Sequence, residues 1–313
     1  MENTKFIQTT DEVLMIRPCS FGFNSETATN NTFQKRGYEE DAQEIALKEF
    51  DKYVELLQIN GVKVNVVSDT PMPHTPDSIF PNNWFSTHSN GTLVLYPMFA
   101  KNRREERKTG VMDYMIENFD IHEICDLTAY EDKGLFLEGT GSMVIDRENG
   151  IVFACKSPRT DETVLKEFCK VFGWEYCMFN ANDDRGNAIY HTNVMMSIGS
   201  RFSVVCLDSI KDIFQKKNFM EKMKYCKKEI VEISFDQMNH FAGNMIELHS
   251  SENDKNIKGQ PLLIMSETAF NVLSLNQKDV LESYYKILSP NLKFIETNGG
   301  GSARCMIAEI FIK

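Results

Sequence analysis

The sequence predicts an α/β protein made of repeated small units, and three observations carry that reading. Short apolar strands, punctuated by Gly, Pro and Asn turns, alternate with amphipathic helical stretches. The order strand, turn, strand, helix, strand returns several times along the chain. No Pro/Gly/Ser-rich linker or low-complexity tract separates the repeats, so residues 1–313 read as a single domain. One such unit cannot bury its strands alone, and the units must therefore stack or close into a ring.

The first helical pattern runs from about Glu39 to Ile59, ahead of a strand pair at Asn83–Phe85 and Thr92–Tyr96. The clearest unit follows. Ser142–Asp146 and Ile151–Cys155 flank the Asn-Gly turn at Arg147–Gly150, a hairpin signal. A helix over Asp161–Phe172 places Val164, Leu165, Phe168, Val171 and Phe172 on one face, and Trp174–Phe179 closes the unit as a strand. The same order recurs as strands at Asn193–Gly199 and Phe202–Leu207, a helix over Phe219–Lys227 and a strand at Ile230–Ser234. It recurs again as Asn244–Leu248, Leu262–Met265, a helix over Gln277–Leu288 and a strand at Lys293–Glu296. The chain ends on three glycines, Gly299 to Gly301, which lead to Cys305 and an apolar strand pattern. Glycine allows positive φ and close approach of backbone to a ligand, so such a run shapes a pocket.

Composition narrows the function classes. With 42% hydrophobic and 25% charged residues the chain is long and apolar enough for a sizeable core. A net charge of −11 argues against nucleic acid or an anionic membrane as partner, because phosphate binding needs basic patches. No stretch approaches the roughly 18 apolar residues of a membrane span. The first residues lack a basic segment followed by an apolar one, so no signal peptide is expected. Eight cysteines are scattered without a C-x-x-C pair, which suits reduced thiols in a cytoplasm. Six dispersed histidines form no metal-ligand spacing, and the triple glycine lacks the Lys-Ser/Thr of a phosphate loop. The expectation is a cofactor-free cytoplasmic protein whose partner is a small molecule, with the choice between monomer and homo-oligomer left open.

Four short segments carry the chemistry: Pro76–Trp84, Leu137–Ser142, Tyr190–Val194 and Gly299–Cys305. Three of them stand just before, or at the start of, the first strand of a unit. In a ring of repeats such equivalent positions converge on the axis. A cysteine at a glycine-rich loop, a histidine able to move protons near neutral pH and a carboxylate then meet in one place.

Together these segments, in this order, resemble the guanidine-modifying or amidinotransferase superfamily, which includes arginine deiminases, dimethylarginine dimethylaminohydrolases and glycine amidinotransferases. The resemblance extends from Met15 to Cys305. It implies a five-bladed α/β propeller of ββαβ modules (the pentein fold) and assigns Cys305 as the nucleophile that attacks the central carbon of a guanidino-like group. It implies that His191 is the general acid/base, and that Glu138 holds the substrate's reacting centre or orients the histidine. The Asp77-Ser-Ile-Phe80 segment is similar to the dimethylarginine-hydrolase motif in which the aspartate receives the substrate α-amino group. Ser157-Pro-Arg159-Thr160 is similar to a segment whose arginine binds the α-carboxylate, and Arg103 of the Arg103-Arg104 pair is the second expected carboxylate ligand.

Two positions depart from the arginine-directed pattern. Where those members carry aspartates around the guanidinium, this chain has Asn83 and Asn193. A buried cation needs compensating negative charge, which an amide cannot supply. A ureido group is uncharged and presents both a carbonyl acceptor and an NH₂ donor, which side-chain amides can match. The departure therefore points to citrulline rather than arginine. The Met15–Ala28 segment likewise resembles the citrulline hydrolases, which convert citrulline and water to ornithine, ammonia and carbon dioxide. The competing expectations are a guanidine hydrolase or amidinotransferase acting on an arginine derivative, and a catalytically silent amino-acid-binding protein. A cysteine peptidase lacks the expected order of its cysteine and histidine.

Overall fold

The computed structural model describes residues 6–35, 41–251 and 259–312. Their strands form five three-stranded sheets. The first joins β1 (Glu12–Arg17) and β2 (Lys63–Ser68), and the second joins β3 (Phe85–Thr87), β4 (Thr92–Leu95) and β5 (Glu123–Asp126). The third contains β6 (Val144–Asp146), β7 (Ile151–Cys155) and β8 (Glu175–Phe179). The fourth contains β9 (Met196–Ile198), β10 (Phe202–Val205) and β11 (Glu229–Glu232). The fifth contains β12 (Ile246–His249), β13 (Pro261–Ile264) and β14 (Lys286–Leu288), and β15 (Ala308–Glu309) returns to complete the first. Within each sheet the first pair is antiparallel and the third strand, reached through helix, runs parallel to the middle one.

Packing closes these modules into a ring. In β1, Leu14 and Ile16 share a core with Phe85 and Leu93 of the second sheet, while Val13 and Met15 share one with Ile246, Leu262 and Ile264 of the fifth. The middle strand β7 repeats the pattern: Val152 and Ala154 face the second sheet's Val94, and Ile151, Phe153 and Cys155 face Phe202 and Val204 of the fourth. Middle strands are thus buried on both faces, which is why their sequences read as continuous apolar runs rather than alternating ones. This is the five-bladed α/β propeller expected from the sequence.

Several element boundaries differ from expectation, each for a local reason. The helix expected over Glu39–Ile59 is seen as Ala42–Ile59, the residues before position 41 lying outside those described. The helix expected over Gln277–Leu288 is Leu275–Glu282, started by a capping box between Ser274 and Gln277, and Lys286–Leu288 is instead the strand that pairs with β13. The strand expected at Lys293–Glu296 is the helix Lys293–Gly299. Its first turn is capped from a distance, because the Glu49 carboxylate accepts the backbone N–H groups of Phe294 and Ile295, each at 3.0 Å. The helix expected from Phe219 begins earlier, at Ile213, where Asp212 caps it through the N–H groups of Phe214 and Gln215. Val171 is exposed rather than on the buried face of its helix. The starts of three expected strands are single helical turns: Pro81–Asn83, Gly139–Ser142 and Thr192–Met195.

Between the second and third sheets, His88 is wholly buried. Arg147, a donor only, gives an N–H to its Nδ1 at 3.0 Å, so Nε2 carries the proton and donates to Ser86 Oγ at 2.9 Å. Burial, reinforced by the Arg147 charge, holds the His88 pKa well below its ordinary value. The unfolded chain therefore binds a proton that the folded one refuses, and stability from this site is lost as pH falls below about 6.5. Urea unfolding at pH 7.5 and 5.5 checks this. Wild type is expected to lose up to about 1.4 kcal/mol more per pH unit than His88→Gln, and equal slopes would refute it.

Candidate active site

The first strands of neighbouring sheets approach one another around the centre of the ring, as β15 does β3 and as β9 does β6 and β12. The turns that precede them consequently meet at one end. There Asp77, Asn83, Arg103, Arg159, His191 and Cys305 line one cavity of about 20 Å³, room for about one water. Glu138 lies behind it, fully buried, and Asn193 reaches the cysteine sulfur. All eight residues expected from the sequence come together.

The glycine run is explained by what it touches. Gly300 has φ +66°, and a Cβ there would fall 2.8 Å from the Gln34 backbone nitrogen. Side chains at Gly299 and Gly301 would strike the Phe80 ring at 2.8 and 2.7 Å. The loop is held from outside by Tyr190 Oη, which donates to Gly300 O at 2.9 Å, and by Tyr53 Oη, which donates to Ala303 O at 3.2 Å. A tight turn, with Cys305 N–H donating to Ser302 O at 2.9 Å, then presents the thiol.

His191 Nε2 lies 2.7 Å from Glu138 Oε2. Burial alone would raise the Glu138 carboxyl, but the Arg159 guanidinium, 3.3 Å away, and His191 outweigh it and keep the acid ionised, well below the usual carboxylate range. The other oxygen, Oε1, accepts the Phe99 N–H at 3.0 Å. Burial pushes the His191 pKa down more than Glu138 pushes it up, so the imidazole is neutral near pH 7. An ionised carboxylate accepts only, and so Nε2 carries the hydrogen and Nδ1 is left with a free lone pair. Gly141 gives that nitrogen room: a Cβ there would lie 2.8 Å from it.

The two departures from the arginine-directed pattern are oriented by their neighbours. Arg103 Nη1 donates to Asn83 Oδ1 at 2.6 Å, which turns the Asn83 NH₂ away from it. Arg103 is itself paired with buried Glu106 at 2.7 and 3.0 Å and also donates to Phe80 O at 3.0 Å. Asn193 Nδ2 donates to Cys305 Sγ at 3.5 Å. Asn83 Nδ2 and Asn193 Oδ1 are buried without a protein partner, and so is Asp77 Oδ1. The other Asp77 oxygen accepts from Asn24 Nδ2 at 2.8 Å and Thr27 Oγ1 at 3.0 Å. Burial raises the Asp77 pKa, with Arg103 offsetting part of the rise. Arg159 donates to Thr27 O at 2.9 Å and to Asn30 Oδ1 from Nε at 2.8 Å, and lies over the Tyr190 ring. Residues 24–30 thus lie across the cavity, bonded to its Asp77 and Arg159.

Sequence reasoning missed Asn244, Glu106 and the covering side chains of Asn24, Thr27 and Asn30. Asn244 was within reach, because it precedes β12 as the other site turns precede their strands. A larger surface cavity, about 390 Å³, lies between Phe33, Asp183 to Arg185 and Lys293, and holds no cysteine or histidine. Among the described residues no three His, Cys, Asp or Glu side chains are arranged to hold a metal ion, and no helix is long and apolar enough to cross a membrane.

The family model described as N,N-dimethylarginine dimethylhydrolase, eukaryotic, matches residues 17–312. The chain belongs to this family. It is accordingly a pentein-fold member of the amidinotransferase superfamily, whose cysteine-dependent hydrolases act on C–N bonds of arginine derivatives. No curated protein matches by sequence. Among solved structures, the chain is similar to the substrate-bound N-terminal domain of ArgZ, an arginine dihydrolase of the cyanobacterial ornithine-ammonia cycle. That likeness has 20% identity and a TM-score of 0.71, over 95% of this chain and 97% of that one. AgrE, in complex with L-arginine, is 17% identical with a TM-score of 0.71, over 95% of this chain and 40% of that one. The dimethylarginine hydrolase DDAH of Pseudomonas aeruginosa, in complex with citrulline, is 12% identical with a TM-score of 0.67, over 96% of this chain and all of that one. At these identities the likeness establishes the fold.

If His191 Nδ1 is the working base, His191→Ala should lower kcat by at least about a hundredfold, the usual scale of lost acid/base catalysis. Steady-state kinetics with circular dichroism as the folding control measure this. A change confined to KM would make His191 a binding residue.

Proposed function

We propose that this protein hydrolyses the ureido group of L-citrulline, giving ornithine, ammonia and carbon dioxide through a covalent intermediate on Cys305. The observation that carries the reading is a pair of buried amide atoms left open, one of them on an asparagine whose other end reaches Cys305. Asn83 offers a donor and Asn193 an acceptor, and both are buried without a partner. A ureido carbonyl takes the donor and a ureido NH₂ satisfies the acceptor. A guanidinium has no acceptor for Asn83 Nδ2, and the two amides add no negative charge to offset its own.

The rest of the substrate has matching partners. The unpaired Asp77 oxygen suits an α-ammonium group, and Arg159 suits the α-carboxylate once the Asn30 carbonyl gives way. Arg103, expected as a second carboxylate ligand, also holds the Asn83 amide. Access for an amino acid requires residues 24–30 to move off the cavity, breaking bonds that the substrate's own charged groups then replace.

In the reaction, the thiol proton passes to His191 Nδ1 and the sulfur adds to the ureido carbon. Asn83 Nδ2 donates to the oxygen as charge develops there. The imidazolium, stabilised by Glu138, returns the proton to the departing nitrogen, and a thiocarbamate remains on Cys305. Water then adds to the same carbon, giving its proton to His191. The C–S bond breaks, and the resulting carbamate loses carbon dioxide. The balance is citrulline plus water to ornithine, ammonia and carbon dioxide, whichever C–N bond breaks first.

An ammonia and ornithine assay against citrulline, arginine and dimethylarginine tests the reading, with Cys305→Ala as an inactive control. Citrulline is expected to have the highest kcat/KM. Asn83→Asp and Asn193→Asp should each lower citrulline-over-arginine selectivity about ten- to a hundredfold: the first loses the donor to the ureido oxygen, and the second exchanges the donor to Cys305 Sγ for a charge that favours a cation. A wild-type preference for arginine would replace this reading with the guanidine-hydrolase one.

A further inference from the structure

We propose that Asn244 is a catalytic residue that donates to Cys305 Sγ and stabilises it as the sulfur becomes the attacking thiolate. The inference rests on Cys305 being the nucleophile, whichever substrate it attacks. Asn244 is buried, and its orientation is forced: the Arg304 backbone N–H donates to its Oδ1 at 3.0 Å, so its NH₂ must face the other way. One of the two hydrogens is used by Asn193 O at 3.1 Å, and the other points at Cys305 Sγ, 3.2 Å away. That contact is shorter than the 3.5 Å from Asn193 Nδ2 to the same sulfur. Two amide N–H groups thus converge on the sulfur as donors. Donors of this kind stabilise the thiolate over the thiol, because a charged acceptor makes the stronger bond.

The ionisable groups around the turn leave this task to the amides. Glu138 is paired with His191 and Arg159, and Arg103 is paired with Glu106. Asp77 lies across the cavity on Asn24 and Thr27. The Tyr53 and Tyr190 hydroxyls donate to backbone carbonyls of the loop. The Arg304 guanidinium turns to Glu309 Oε2 at 2.7 Å and to Ile307 O at 3.0 Å. His191 takes the thiol proton, and the fixed N–H donors stabilise the sulfur anion that this leaves. Asn244 also supports the Asn193 backbone, so the same side chain sets the sulfur and the turn that carries the open acceptor.

The test follows iodoacetamide labelling of Cys305 from pH 5.5 to 10, read by mass spectrometry of the Cys305 peptide in the full-length protein without substrate. Asn244→Ala should label about tenfold more slowly at neutral pH, with its profile moved toward alkaline pH by about one unit. Asn244→Asp keeps an acceptor for the Arg304 N–H but sets a carboxylate against the sulfur, and should move the profile at least as far. In both variants kcat, measured on whichever substrate the enzyme turns over, should fall more than KM rises. Wild-type labelling profiles in both variants would overturn the proposal, as would a loss of thermal stability alone. A shift in the aspartate variant without one in the alanine variant would also overturn it, since only the introduced charge would then be acting. Because labelling uses no substrate, a failure of the citrulline reading leaves this result interpretable.

Discussion

The site depends on one ionised carboxylate with no exposure to water. Glu138 accepts from His191, from Arg159 and from the Phe99 backbone. Such a charge persists inside a protein only when paired and hydrogen-bonded on both oxygens, and removing one partner of a buried pair costs about 3–5 kcal/mol. Its demands organise what surrounds it. It sets the imidazole tautomer, and so decides which nitrogen keeps its lone pair. It also anchors an arginine whose other N–H groups reach Thr27 and Asn30 in the segment over the cavity. The imidazole and the segment over the cavity are thereby tied to the same anion.

Much of this was legible in the sequence, and the reason is positional. Each module offers the same point, the turn before its first strand, and the ring carries those points to one end. Pro76–Trp84, Leu137–Ser142, Tyr190–Val194 and Gly299–Cys305 stood out because their residue types are chemically loaded there. Asn244 occupies the fifth such point but was passed over, since a lone asparagine before an apolar run has the look of an ordinary turn. Glu106 was hidden differently. In Lys101–Lys108 it reads as one charge among several on a solvated helix, and only the tertiary fold shows it buried against Arg103. The helix Lys293–Gly299 was misread for a related reason, because its cap is Glu49, far away in sequence. Local pattern identifies elements that local bonds start; it does not see those started by a distant side chain.

The asparagines at the site also show how hydrogen-bond direction is conveyed through a fold. An amide can present either end to a substrate, and its information content is low unless something fixes it. Here a donor-only arginine fixes Asn83 and a backbone N–H fixes Asn244. Orientation is thus supplied by groups that need never touch the substrate, at the expense of burying the Arg103–Glu106 ion pair.

The pairing of β15 with β1 has a consequence for how the site is put together. Cys305 stands just ahead of β15, and that strand is placed by β1, far away in sequence. Two of the core clusters draw on residues 303–312, so the packing that completes the ring is also the packing that seats the cysteine.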